Sequence, residues 1–297
     1  MSAPTLDKRA LRAAFDRAAA GYDAAAVLQR EIGERLVARL DYVKLAPQRI
    51  LDLGCGTGFA LPALARRYRA ATLLGLDLAP AMTRAARERC RPRLPFGLGA
   101  RFSRCRFITA DAEALPVASR SIDLVFSNLA LQWCDPQRAF AECRRVLRPG
   151  GLLLFASFGP DTLKELRAAW RAVDADTHVH SFTDMHDLGD ALLHAGLADP
   201  VMDMEPLTLT YADVGAVLRD LKGVGAHNVA SGRPAALTGK SRFMRFRAAY
   251  ENFRHADGRI PATYEVVYGH AWAPDTRDEV QGKRGEGWKP VSIVRRR

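Results

Sequence analysis

Short apolar segments alternate with helical segments between residues 49 and 158, and this alternation restricts the fold more than any other feature of the chain. Such a rhythm favours an α/β architecture, in which a parallel sheet carries helices on both faces. The segments are apolar almost throughout, which is typical of parallel strands buried on both sides. Strands are predicted at residues 49–53, 72–78, 105–111, 122–128 and 151–158, and helices at residues 60–69, 80–90 and 135–147.

Two regions flank this core. Residues 8–40 keep helical periodicity and predict a single helix, so that residues 1–48 form an N-terminal helical lid. Past residue 158, an insertion of about fifty residues separates two strands, which is typical of a cap or binding element. Further helices are predicted at residues 161–173, 184–195, 212–222 and 241–255, strands at 200–211 and 262–272, substrate cap elements at 159–199 and 212–260, and a mobile tail at 275–297.

The net charge of +11 favours an acidic partner, which could be a nucleic acid, an anionic membrane or a protein. Because the chain has no zinc-finger spacing, aromatic RNA-binding motif or helix-turn-helix pattern, we expect no nucleic-acid partner. No apolar run approaches the ~20 residues that span a membrane, so we expect no membrane span. An acidic protein is therefore the favoured partner, while the oligomeric state stays open.

Cysteine and histidine usage gives no sign of a metal centre. The five cysteines form no CxxC pair, which predicts reduced thiols and a cytoplasmic location. The histidines show no convincing metal-ligand spacing, and we interpret His178 and His180 of "HVH" as incidental. The sequence therefore predicts no metal site.

A glycine-rich loop, "GCGTG", follows the first strand and precedes a helix. Gly54 and Gly56 match the first two glycines of the dinucleotide fingerprint, but its sixth position holds Phe59, and Gly58 comes one residue early. A plain NAD dehydrogenase is therefore disfavoured. No Lys-Ser/Thr pair follows, which argues against a nucleotide-triphosphate loop. The loop still allows backbone N–H groups to face a nucleoside cofactor.

Three aspartates belong to the first three strands. Asp52 precedes the glycine loop, and Asp77 and Asp111 end the second and third strands. Ligands of open α/β sheets bind at the carboxyl ends of the strands, where Asp77 is suited to a ribose. Each aspartate could instead cap a helix or turn. Three carboxylates at matching strand ends favour a binding site.

These segments resemble the ordered motifs of class I S-adenosylmethionine-dependent methyltransferases: "ILDLGCGTG", "LDLAP", "ADAEALP", "IDLVFSNLALQW" and "RVLRPGG". The resemblance implies a Rossmann-like, mostly parallel seven-stranded sheet and S-adenosyl-L-methionine as the cofactor. It implies that the glycine loop faces the methionine part of the cofactor and that Asp77 holds the ribose. It also implies an adenine pocket and a wall beside the methyl group, formed by Leu78, Met82, Asp111, Ala112, Asn128 and Leu129.

Further segments resemble the malonyl-acyl-carrier-protein O-methyltransferases of biotin synthesis, over about residues 11–274. These segments include "FDRAAAGYDAAAVLQREI", "FGPDTLKELRAAW" and "GRIPATYEVVYGHAW". The resemblance implies methyl transfer to the free carboxylate of a malonyl thioester on acidic acyl carrier protein, which carries the acyl group on phosphopantetheine. A related arginine hydroxylase that assembles respiratory complex I shares the fold. A hydroxylase and a non-catalytic assembly factor therefore remain alternatives.

The acceptor implied by this resemblance needs no general base, because a carboxylate is ionised at neutral pH. Methyl transfer then requires alignment and desolvation. We expect Tyr22 to close over the methionine end, and Gln132 and Trp133 to shape the transfer chamber. Lys222 is a candidate for binding the malonyl carboxylate or the carrier's phosphate, although it could also be a solvated lysine at a helix end.

Overall fold

The computed structural model describes residues 6–91, 104–226, 228–229 and 238–275, so the tail predicted after residue 275 lies outside the described residues. The core is a seven-stranded sheet with the order β3-β2-β1-β4-β5-β7-β6. The strands are β1 Arg49–Leu53, β2 Thr72–Asp77, β3 Cys105–Thr109, β4 Ile122–Asn128, β5 Leu147–Phe158, β6 Ala198–Tyr211 and β7 Ile260–Trp272.

The helices cover both faces and the carboxyl end of this sheet. None of the helices in the described residues is long and apolar enough to cross a membrane. In chain order they are α1 Lys8–Ala18, α2 Tyr22–Ala25, α3 Val27–Arg39, α4 Leu61–Arg67, α5 Pro80–Arg89, α6 Pro136–Val146, α7 Lys164–Arg171, α8 Met185–His194, α9 Val214–Gly223 and α10 Lys240–Glu251.

Successive residues of the central strands point into two separate cores. In β4, Leu124 and Phe126 pack with α3 and α4, whereas Val125 packs with α6 and α8 on the opposite face. All three side chains are fully buried. Side chains alternate between the faces of a strand, so a strand that is apolar at every position needs helices on both sides. The predicted α/β class and mostly parallel sheet are therefore confirmed.

The adjacent pairs among β1 to β5 are all parallel, while β7 is antiparallel to both β5 and β6. The insertion between β6 and β7 carries α9 and α10, which confirms the two helices predicted there. α10 packs against α7, with the Phe246 and Trp170 rings stacked at 4.2 Å between centroids. The insertion is thus anchored to the chain that follows β5.

The N-terminal segment is not the single helix that its periodicity predicts. It forms three helices, which are interrupted by a turn at Ala19–Gly21 and again at Ala26. The short α2 lies between these breaks, where the Thr57 hydroxyl of the glycine loop donates to Asp23 at 2.6 Å. Periodicity reports only which residues are apolar and carries no information on such contacts to a distant loop.

Candidate active site

The glycine loop connects β1 to α4 and is held close to β2. The N–H groups of Gly54 and Cys55 both donate to the Leu76 carbonyl, at 2.7 and 2.9 Å. Gly54, Gly56 and Gly58 have φ angles of +74°, +53° and +79°, which L side chains rarely adopt. The left-handed turns allow the Gly56 N–H to donate to Asp77 Oδ2 at 2.9 Å.

A cavity with about 640 Å³ of empty volume opens beside this loop at the carboxyl ends of the strands. Eleven of the residues that the sequence singled out meet in its lining. They are Tyr22, Gly54, Gly56, Asp77, Leu78, Met82, Asp111, Ala112, Asn128, Leu129 and Trp133.

Four other predicted site residues lie outside this lining. Asp52 is buried next to it and faces an adjoining cleft with Tyr22 and the glycine loop. Gly58 packs behind the loop, where a Cβ would lie 3.0 Å from the α5 backbone at Ala86, so this glycine permits close packing. The Gln132 side chain donates to the backbone carbonyl of Leu129, and Lys222 is exposed at the end of α9.

Burial makes the site carboxylates hard to ionise. It raises the pKa of Asp77 to about 6, against the opposing effect of the N–H groups of Ala79 and Gly56. Burial, and then repulsion from Asp77, raise the pKa of Asp52 to about 8. Asp52 Oδ2 is buried without a hydrogen-bond partner. A bound cation that donates hydrogen bonds would stabilise the ionised carboxylates and would give Asp52 Oδ2 a hydrogen-bond partner.

The buried Asp52 carboxyl predicts an unusual pH dependence of stability for the ligand-free protein. Its pKa near 8 lies above the unfolded value of about 3.9, so the folded state binds more protons between these values. Stability from this group is therefore lost as the pH rises from about 4 to about 8. We expect Asp52→Asn to melt at a higher temperature than the wild type near pH 9, with the difference shrinking towards pH 5.

Differential scanning calorimetry from about pH 5 to pH 9 measures this effect. Asp187→Asn, at an exposed position of α8, is a matched control and should follow the wild-type curve. Parallel curves for Asp52→Asn and the wild type would contradict the raised pKa.

Helices α1 and α2, which belong to the predicted N-terminal lid, contribute Leu11, Phe15 and Tyr22 to the lining of the cavity. The first anchor is Lys8, whose Nζ contacts Asp111 at 3.1 Å and Glu113 at 2.6 Å. These paired groups are no more than one third exposed, so they are screened less than open surface pairs. Lys8 therefore connects the lid to the end of β3, a role that the sequence reading missed.

Two more anchors hold the other end of the lid. Asp16 of α1 accepts from the Ala81 N–H at 2.8 Å, at the amino end of α5. Asp23 accepts from Thr57 at 2.6 Å and also pairs with Arg89. A carboxylate near a helix amino terminus is favourable, because the free N–H groups there carry partial positive charge. These contacts seat Tyr22 over the glycine loop.

The opposite wall is the turn that follows β4. Leu129 has a φ of +53°, and its carbonyl accepts from Gln132 Nε2 at 2.8 Å. Asn128 Nδ2 donates to the Gln29 carbonyl of α3 at 2.9 Å. Gln132 thus supports the wall from behind, while Asn128 Oδ1 remains buried without a partner beside the cavity.

Trp133 also lines a second cavity, which has about 670 Å³ of empty volume. Its walls come from α3, the end of β5, α7, residues 178–182 and the end of α9. The sequence reading set aside His178 and His180, yet both line this cavity. No sequence signal beyond their two-residue spacing marks them, since α7 and β5 become neighbours of this segment only through folding. Lys222 follows the lining residue Leu221 but is itself exposed.

Asp174, Asp176 and His178 are the one group in the described residues with a geometry that could hold a metal ion. Arg242 Nη2 donates to both carboxylates, to Asp174 at 2.5 Å and to Asp176 at 2.7 Å. The His178 ring stacks on Trp170 with the centroids 3.7 Å apart. These contacts make the group an ion-pair network that fastens α10 to the segment before α8.

Comparison with known proteins identifies the family. Residues 51–155 match a family model described as "Methyltransferase domain". A malonyl-acyl-carrier-protein O-methyltransferase of Laribacter hongkongensis is 55% identical over 274 residues, which cover 91% of each chain. One of Halorhodospira halophila is 48% identical over 297 residues, covering 99% of this chain and 98% of the relative.

The chain belongs to the malonyl-acyl-carrier-protein O-methyltransferase family.

Solved structures agree with this family at the level of the fold. The YcgJ protein of Bacillus subtilis matches with a TM-score of 0.55 and 18% identity, over 81% of this chain and 98% of that one. The Rossmann-like class I methyltransferase fold, with its seven-stranded sheet, is therefore confirmed for this member of the O-methyltransferase family.

Proposed function

We propose that the protein transfers a methyl group from S-adenosyl-L-methionine to the free carboxylate of a malonyl thioester carried by acyl carrier protein. The observation that carries this proposal is the 55% identity to a named malonyl-acyl-carrier-protein O-methyltransferase over nine tenths of both chains. The reaction turns a charged acyl terminus into a neutral methyl ester. That ester can serve as the primer for pimeloyl synthesis in biotin formation, as the membership implies.

The lining of the first cavity fits S-adenosyl-L-methionine. Asp77 would accept from the ribose hydroxyls, and the orphaned Asp52 Oδ2 and Asn128 Oδ1 are acceptors suited to the cofactor's ammonium group. The glycine loop would face the methionine part. Leu78, Met82, Asp111 and Ala112 would bind the adenine, with Leu129 beside the methyl group.

When bound, S-adenosyl-L-methionine supplies a methyl group already activated by sulfonium, and the carbon–sulfur bond breaks as the carboxylate oxygen bonds to carbon, leaving the electron pair on sulfur. The chain's own residues therefore need to bind, align and exclude water. Trp133 lines both cavities and would align the acyl group with the cofactor where the two cavities meet. Gln132 would keep the neighbouring turn rigid through Leu129.

The titratable groups around Trp133 are poor proton acceptors or donors at neutral pH. Burial and nearby carboxylates raise the pKa of the Tyr22 hydroxyl, so it stays protonated. Burial raises the pKa of the Cys134 thiol to about 12. Burial lowers the pKa of His180 to about 4, so its ring is neutral. An acceptor that has already lost its proton suits these surroundings, because a hydroxyl acceptor would require a base.

The chain's +11 charge suits the acidic acyl carrier protein, since opposite charges speed encounter. Lys222 is exposed beside the second cavity and is proposed to contact the carrier or its phosphate. Residues 1–48 would act as the lid, and residues 159–199 and 212–260 as the substrate cap.

The experiment that tests the proposal is methyl transfer from radiolabelled S-adenosyl-L-methionine to malonyl-acyl carrier protein. We expect label in the carrier protein that base releases, because a methyl ester is base-labile. Acyl carrier protein without the malonyl group is the control and should take up no label. Retained cofactor binding without transfer would contradict the proposal and favour the non-catalytic alternative; the hydroxylase alternative has no support among the relatives compared.

Tyr22 is expected to affect turnover more than cofactor binding. Its side chain lines both the cofactor cavity and the cleft beside Asp52, at the methionine end of the site. A small misplacement of reacting groups can slow transfer by about 100-fold, so Tyr22→Phe, which loosens the lid over the methionine end, should lower kcat by about 10-fold or more. S-adenosylhomocysteine affinity, measured by calorimetry, should stay within about threefold, because the ring is retained.

Tyr42→Phe provides the control for this substitution. Tyr42 is 91% exposed and lies outside the lining of both cavities, so its hydroxyl should be dispensable. Equal turnover by Tyr22→Phe and the wild type would remove Tyr22 from the mechanism.

A further inference from the structure

The second cavity has no part in cofactor binding as described above, yet it adjoins the cofactor site. Trp133 lines both cavities, and Gln29 lines the second cavity together with the cleft beside the glycine loop. The remaining walls are mostly apolar and include Phe158, Phe182 and Tyr264. A group bound at the Trp133 edge of this cavity would lie beside the cofactor.

His180 is the most unusual polar group in this cavity. It is only 6% exposed, and its Nε2 is buried without a hydrogen-bond partner. The ring is fixed between two aromatic side chains, with centroids 4.8 Å from Trp133 and 4.4 Å from Phe182. Leaving a buried nitrogen unpaired is costly, so a nitrogen fixed at a cavity wall indicates that a ligand completes its bonding.

The electrostatic surroundings of His180 suit an anion. Arg167 is the charged group that, after burial, lowers the His180 pKa, and no carboxylate of the described residues contributes to that shift. The Arg167 guanidinium is fixed by the carbonyls of Pro160 and Thr162, at 2.8 and 3.1 Å. Its charge is therefore not neutralised by either of these bonds. A neutral imidazole N–H next to a fixed cation can hold a carboxylate without burying a new positive charge.

Asp220 is the carboxylate that lines this cavity, and it accepts from the Tyr211 hydroxyl at 2.7 Å. Because like charges repel, an anionic acyl end would avoid Asp220 and favour the His180 side. The His180 side is also the side that contacts Trp133 and hence the cofactor cavity.

We propose that the second cavity is the acyl site and that His180 Nε2–H donates a hydrogen bond to the free carboxylate of the malonyl thioester, placing it against Trp133. This inference rests on the proposed function and adds a positioning residue for the acceptor. Gln29, whose Oε1 is also buried and unpartnered, forms the adjoining wall.

Steady-state kinetics with malonyl-acyl carrier protein test the role of His180. The substrate carboxylate carries its full charge before transfer and loses it as the ester forms, so His180 stabilises the bound substrate at least as much as the transition state. His180→Phe keeps the aromatic packing but removes the donor. We expect KM to rise about 10- to 100-fold, with kcat changed by less than about threefold.

Three comparisons separate this role from a structural one. His180→Met, a second variant without a donor, should match His180→Phe, whereas His180→Gln retains an N–H donor and should recover most of the KM. S-adenosylhomocysteine affinity should be unchanged in all three, since His180 is not part of the cofactor cavity lining. The control His186→Gln alters a histidine with an 85% exposed side chain and should leave KM unchanged.

The outcomes distinguish this inference from the function on which it rests. A wild-type protein that does not methylate malonyl-acyl carrier protein overturns both. Wild-type turnover with an unchanged KM in both donor-free variants overturns the role of His180 alone. A fall in kcat or in cofactor affinity at an unchanged KM also overturns it, because that pattern indicates a structural role.

Discussion

Gly54→Ala should abolish measurable cofactor binding, because the new methyl group has no space. A Cβ at this position would lie 2.1 Å from the Ala130 Cβ, far inside van der Waals contact. Ala130 belongs to the turn after β4 that forms the cavity wall. The loop and the wall would have to separate, and the φ of +74° adds strain of about 1–3 kcal/mol. Calorimetric titration with S-adenosylhomocysteine measures the loss.

Gly150→Ala is the matched control for this prediction. Gly150 also has a positive φ, of +71°, but a Cβ there meets nothing within 4 Å, and it lies outside the lining of both cavities. It should cost only the backbone strain, about 1 kcal/mol, and leave cofactor binding unchanged. The double variant Gly54→Ala/Ala130→Gly removes the clash and should recover most of the binding. Equal effects of the two single variants would show that the close contact with Ala130 is unimportant.

Asp77→Asn should weaken S-adenosylhomocysteine binding by about 100-fold or more. The carboxylate would lose its bonds to the ribose hydroxyls, and each hydrogen bond to a charged group contributes about 1.5–3 kcal/mol. The same carboxylate accepts from the N–H groups of Gly56 and Ala79, both at 2.9 Å. An amide cannot accept on both sides, so the substitution also disturbs the glycine loop.

Calorimetric titration of Asp77→Asn with S-adenosylhomocysteine measures this loss of affinity, and circular dichroism checks that the variant is folded. Asp187→Asn, exposed on α8, should bind normally and controls for the loss of one charge. Normal affinity in Asp77→Asn would refute the ribose assignment. The expected loss exceeds that for Tyr22→Phe, because Asp77 serves the cofactor and the loop together.

The N-terminal helices are in direct contact with the cofactor site, so we expect substitutions in either one to affect the other. Lys8, Asp16 and Asp23 connect the lid to the ends of β3, the start of α5 and the glycine loop. The cap reaches the same segment, because a Cβ at Gly223 would lie 2.8 Å from the Ala25 Cβ. The N-terminal helices contact Trp133 through Phe15, and the insertion after β6 shares the second cavity with it. We therefore expect both segments to help exclude water from the reacting carboxylate.

The sequence by itself determined the order and type of the elements around the cofactor site. Alternating apolar strands and helices specify a parallel sheet, since each strand needs helices on both faces. The glycine loop and Asp77 follow their strands directly, so chain order alone places them at one edge of the sheet. Met82, Asp111 and Asn128 were predicted as cofactor-site residues from the resemblance to class I methyltransferases, and all three line the cavity.

Only the tertiary structure decided which residues meet across elements that are distant in sequence. Helical periodicity did not reveal the breaks at Gly21 and Ala26, between which Asp23 contacts the distant residues Thr57 and Arg89. It gave no reason to select Lys8, or His180 over the other histidines. The His180 Nε2 becomes a buried nitrogen without a hydrogen-bond partner only when β4, α7 and the segment before α8 pack together. Whether a polar atom is buried and whether it has a hydrogen-bond partner both depend on the whole fold. The sequence alone therefore could not mark His180 as a site residue.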